Sequence, residues 1–135
     1  MAVDSEQMQA NDSTLEALNR FKNEIKNLMN GKGNLKKLLE AVDYKYGDEN
    51  NAMAVLGVAD YLLDQGVSIK KGKSYVLECI DAELEKKALQ EWKSPQKRKQ
   101  ALILFRKRVL KDQRGKPKGK VETWKLEDIS GTTSA

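Results

Sequence analysis

With 135 residues, one cysteine and no histidine, the chain is long enough to bury one core without crosslinks, cannot close an internal disulfide, and lacks both the commonest metal ligand and the commonest general base. Its 25 basic and 20 acidic residues leave a formal net charge of +5, and no apolar stretch approaches the roughly 20 residues of a membrane span. The acidic, polar start MAVDSEQMQANDS does not fit a secretory signal, so the expectation is a soluble, intracellular, cytoplasmic protein with no cofactor, no structural zinc and no membrane partner.

The periodicity predicts an all-α protein. A compact bundle of about five helices occupies a single domain over 13–113, between a disordered N-terminus (1–12) and a basic arm and tail (114–135). Ser13-Thr14-Leu15-Glu16 fits a capping box. The helix it opens carries Leu15, Leu18, Phe21, Ile25, Leu28 and Met29 at spacings of three and four, as one buried stripe requires. Gly31 and Gly33 stop it, because glycine takes positive φ at a helix end. Asn34 then caps a second helix with Leu35, Leu38, Leu39, Val42 and Tyr46 on one face, ending at Gly47. A third runs from Asp48 to about Gln65. Its MAVLGVADYLL segment is apolar nearly all round, which places it in the middle of the bundle.

GVSIKKGKSY, 66–75, ends like a phosphate-cradling loop. Five residues rather than four separate Gly66 from Gly72, and a helical pattern rather than a strand precedes them, so the reading is a linker in which Gly72 permits a turn and Ser74 caps the next helix. That fourth helix, SYVLECIDAELEKKALQEW, turns Leu77, Ile80, Leu84 and Ala88 inward. Cys79 beside them reads as a small core residue, since no histidine can activate it. Asp81, Glu83 and Glu85 read as solvated surface charges among Lys86 and Lys87. Ser94-Pro95 starts a fifth helix running to about Gln113. VETWKLEDI, 121–129, reads as a short strand, a wing or a docking tail.

The charge is strongly segregated. Residues 94–120 hold eleven basic residues and one acid, Asp112, for a net +10, while the remainder carries −5. At about 100° per residue, Lys97, Lys107, Arg108, Lys111 and Arg114 share an arc of roughly 120°, with Leu102, Phe105 and Val109 on the other side. The expected contacts to a phosphate backbone, DNA or RNA, are therefore Lys97, Arg98, Lys107, Arg108, Lys111 and Arg114, with Lys116 and Lys118 on the arm. Lys70, Lys71 and Lys73 form a second patch if their linker folds against the same side. Trp92 and Trp124 read as packing anchors rather than base platforms. A helix-turn-helix, with Gln96, Lys97 and Gln100 nearest the base edges, is a weaker local reading.

Function then divides three ways. The leading expectation is a non-catalytic nucleic-acid-binding or accessory subunit. Its rival is a protein-interaction adaptor, a homo-oligomer, or a small helical subunit of a larger nucleoprotein assembly, docking its basic face on an acidic surface such as DAELE (81–85). An enzyme has little to work with: no catalytic set stands out, and Asp60, Tyr61 and Asp64 would be the first residues to probe.

Overall fold

The computed structural model describes residue 9, residues 12–47 and residues 52–115, the Lys86 side chain excepted. Its α-helices are α1 (Asp12–Arg20), α2 (Lys22–Met29), α3 (Leu35–Tyr46), α4 (Met53–Asp64), α5 (Lys73–Glu83), α6 (Lys86–Leu89) and α7 (Pro95–Lys111), with a 3₁₀ turn at Lys70–Gly72. The fold is all-α; among the described residues there is no strand, and no helix is long and apolar enough to cross a membrane. The expected cap at Asp48, the N-terminal 1–8 and the strand or wing at 121–129 lie outside the described residues.

The core is organised around α4. Ala54, Val55, Leu56, Gly57, Val58, Ala59, Tyr61, Leu62 and Leu63 are all buried, because α1, α3 and α5 pack around it. A helix apolar on every side needs such a position, since any solvent-facing stripe would expose hydrocarbon. The outer helices contribute single stripes: Ala17 and Leu18 from α1, Leu35, Leu38, Leu39 and Val42 from α3, Val76 and Ile80 from α5, and Leu102, Phe105 and Val109 from α7.

Two expected long helices are each divided. The first bends at Phe21 (φ −101°, ψ 25°), although Phe21 N–H still reaches Ala17 O and Ile25 N–H reaches Phe21 O, both at 2.9 Å. The bend keeps both hydrogen bonds of Phe21 and separates α1 from α2. Ser13 lies inside α1 rather than capping it, and Thr14 is the first-turn residue that turns inward, its hydroxyl donating to Met53 O at 3.2 Å. The expected fourth helix breaks after Glu83. This bend returns Leu89 and Trp92 to α7, where both are buried.

Three helices stop in the same way. Lys32 N–H bonds to Asn27 O (2.7 Å), Val67 N–H to Leu62 O (2.9 Å) and Gln113 N–H to Arg108 O (3.0 Å), each with a preceding residue at positive φ: Gly31, Gly66 and Asp112. These are Schellman ends, in which a left-handed residue lets the following N–H satisfy orphan carbonyls. Gly66 is thus the terminator of α4 and not part of a phosphate loop. Asn34 caps α3 as expected, its side chain accepting from Lys37 N–H at 3.0 Å. Ser74 does not cap α5, which starts one residue earlier, directly out of the 3₁₀ turn, with Gly72 before it and no side-chain cap. Gly72 serves close packing: its φ is −118°, and a Cβ there would meet Leu39 Cδ1 at 3.0 Å and Leu35 Cδ2 at 3.2 Å.

Candidate nucleic-acid interface

Pro95 at the first helical position starts α7 as the sequence implies. The cations along it have three different environments. Arg98 is fully buried, its Nη2 3.5 Å from Glu83 Oε1 and its guanidinium 4.0 Å from the Trp92 ring centroid. It cannot contact a phosphate, and that expectation is corrected. The physical reason is its phase: Arg98, Leu102, Phe105 and Val109 follow the i, i+4, i+7, i+11 spacing of the core-facing stripe. Glu83, expected on the surface, is buried for the same reason. Burial raises its pKa above the ordinary value, while Arg98 and the Ala52 N–H at the start of α4 pull it down.

Arg108 is the second correction. Its Nη1 lies 2.7 Å from Asp60 Oδ1 and its Nη2 2.8 Å from Asp64 Oδ1, so the guanidinium forks across two carboxylates one turn apart on α4. Gln9 Nε2 closes the other side, donating to Asp60 Oδ2 at 2.8 Å and Asp64 Oδ2 at 2.7 Å. Arg108 Nε donates in addition to Gln113 O at 2.9 Å. With all three guanidinium nitrogens partnered, the side chain fastens α7 to α4. The carboxylates singled out as catalytic probes are thereby occupied in a structural clamp. Burial is the main influence on Asp60, raising its pKa; Gln9 lowers it, Asp64 raises it and Arg108 lowers it.

The remaining cations face outward. Lys97, Lys99, Lys107 and Lys111 are exposed, with no ion pair to a described residue. Arg106 shares an exposed ion pair with Asp81 at 3.1 Å, and Arg114, half exposed, lies 3.6 Å from Asp112. Lys116 and Lys118 lie outside the described residues, as does Trp124.

Asp112, the single acid of the basic segment, sets where the second lysine group goes. It sits in the left-handed region (φ 51°) and is nearly buried. Ser68 Oγ donates to its Oδ2 at 2.7 Å and Ile69 N–H to its Oδ1 at 2.9 Å. Lys73 Nζ donates to Leu110 O at 3.1 Å, a favourable place for a cation because the last carbonyls of a helix carry partial negative charge. The linker is therefore bound to the C-terminal end of α7. Lys70 and Lys71, both exposed, stand at the same end of the helix as Lys111. Nothing local in the sequence announces these contacts, because each joins residues about forty positions apart.

Among the described residues no group of three or more His, Cys, Asp or Glu side chains could hold a metal ion. Cys79 is half-buried against the core, and burial, with Asp43, Glu78 and Glu83 adding, pushes its thiol up to about 12. The helix-turn-helix reading loses its regular first helix, since a four-residue α6 stands between α5 and α7. No protein-family model matches the chain, and neither the curated proteins nor the solved structures with which it was compared gave a match.

Proposed function

We propose that this protein is a non-catalytic nucleic-acid-binding or accessory subunit whose contact surface lies at the C-terminal end of α7. The observation that carries the reading is the tethering of the 68–73 linker by Asp112, which brings Lys70 and Lys71 to the end of the helix that bears Lys107 and Lys111. Two lysine groups from distant parts of the sequence then oppose one partner. Such a cluster neutralises phosphates and releases condensed counterions, giving affinity that depends steeply on salt and little on base sequence. Lys97 extends the surface along the helix. Arg114, with Lys116 and Lys118 after it in the sequence, continues the positive charge.

The contact set is narrower than the charge count implies, because Arg98 and Arg108 are spent inside the fold. The test is a salt titration of binding to duplex and single-stranded DNA and RNA, with the charge reversals Lys71→Glu and Lys111→Glu. Each phosphate contact removed should flatten the log–log salt slope by about 0.9 on duplex DNA. If neither DNA nor RNA binds at low salt, or if both variants keep the full slope, the reading fails.

A specific observation also favours a protein partner: Ile103, Leu104 and Leu110 are exposed on the same helix. Phosphates have no use for aliphatic groups.

A further inference from the structure

The outer surface of α7 carries an apolar track as well as lysines. Ile103 is 39 % exposed and Leu110 43 %. Seven residues apart, they lie within about 20° of each other around the helix axis. One turn before Ile103 comes Lys99, which, with Leu84, Leu89, Gln90, Pro95 and Gln96, lines a groove of about 570 Å³ between α6 and α7. The groove and the two aliphatic side chains form one path of about 20 Å, from Pro95 to Leu110. Cations stand on both sides of it: Lys99 on one flank, Lys107 and Lys111 on the other, all exposed and with no ion pair to a described residue.

We propose that this track is a docking site for an acidic amphipathic helix of a partner protein, one with leucine-like residues on a single stripe and Glu or Asp on either side. The length of the path matches about four turns of such a helix. Its apolar stripe would cover the hydrocarbon of Ile103 and Leu110, with one bulky side chain entering the groove beside Pro95. Its carboxylates would meet Lys99, Lys107 and Lys111 at the rim, where complementary charge sets orientation and speeds encounter. A second copy of this chain is a poor occupant: pairing the same faces sets these three lysines against their own equivalents, and in the acidic 81–85 segment Glu83 is buried on Arg98 and Asp81 is paired with Arg106. The inference shares Lys107 and Lys111 with the nucleic-acid surface but stands on the aliphatic groups Ile103 and Leu110, which phosphate binding does not use.

The test uses the full chain and three fluorescent 15-residue peptides. One has leucines at i, i+4, i+7 and i+11 flanked by glutamates; the second keeps the leucines and replaces the glutamates by lysines; the third keeps the glutamates and replaces the leucines by alanines. By anisotropy the first should bind, and the other two should bind at least about tenfold more weakly. Ile103→Ser and Lys99→Glu should each weaken the first peptide by about tenfold or more, and Ile103→Ser should leave nucleic-acid affinity within about twofold, since it removes no charge. Equal binding of the alanine peptide, or an Ile103→Ser variant that binds normally, would overturn the proposal. It would be overturned equally by a stable dimer that Ile103→Ser dissolves, by peptide binding that appears only after residues 116–135 are deleted, or by attachment to anionic vesicles in the absence of any peptide binding.

Discussion

Arg98 and Glu83 form a fully enclosed ion pair, Nη2 to Oε1 at 3.5 Å, with the Trp92 ring against the guanidinium. Removing one member of such a pair strands the other charge in a medium that cannot solvate it. Arg98→Met should therefore cost about 3–5 kcal/mol of unfolding free energy. Adding Glu83→Gln should restore at least about 1 kcal/mol, because a neutral amide still accepts from the Ala52 N–H without burying a charge. Urea denaturation of the two variants tests this. A double variant no more stable than the single one would show that the pair is not the source of the loss.

Gly72 makes a different kind of demand. The Cβ of an alanine there would press on Leu39 and Leu35 at 3.0–3.3 Å, and overpacking of a close-packed site costs about 1–3 kcal/mol. Gly72→Ala should lower stability by that amount. A melting temperature at or above that of the wild type would mean that α3 yields easily at this point.

The Arg108 clamp has a pH signature. Burial, opposed by Gln9 and Arg108, leaves Asp60 with a pKa raised above the ordinary 3.8. A carboxyl that holds its proton more tightly in the folded chain than in the unfolded one adds stability as pH falls through the raised value, and loses it as pH climbs back. The stability difference between wild type and Asp60→Asn should therefore shift in favour of the wild type as pH is lowered from about 7 toward about 4. A shift in the opposite direction would show that Arg108 outweighs burial.

Cys79 should be chemically quiet. With its thiol pushed up to about 12, almost none is thiolate near neutrality, and the thiolate is the reacting form. Alkylation by iodoacetamide at about pH 8 should be slow in the folded protein and speed up sharply in urea. Rapid labelling without denaturant would contradict the burial of this side chain.

Much of this architecture is legible in the residue order, wherever the cause is local. Asn34 and Pro95 start their helices as such residues do, Gly31 and Gly33 take positive φ, and the all-round apolar pattern of MAVLGVADYLL leads correctly to a central helix. The bends at Phe21 and after Glu83 are harder to see, because the apolar spacing runs through both without interruption. Ser74 has the right chemistry for a cap but lies one residue inside a helix that the 3₁₀ turn initiates.

The basic surface was legible in sum and not in detail. Arg98 carries a signal that could have found it, four residues before Leu102 and in phase with Phe105 and Val109, where a charged residue must be buried and paired. Arg108 carries none. Its phase belongs to the outer arc, and only the approach of α4, with two carboxylates on successive turns, draws it inward. Asp112 could be read as a lone interruption of positive charge, but its role as the anchor of the lysine linker depends on a contact with residues 68 and 69.

The Glu83 carboxylate receives donors from the first residues of two helices, the Ala52 N–H ahead of α4 and the Arg98 side chain on α7. Fraying at either helix start therefore leaves this buried carboxylate on α5 short of one of its two donors, which costs the fold as a whole. The two ends, far apart along the polypeptide, form a single opening unit, and their amide protons should exchange with solvent in one correlated event rather than two separate ones.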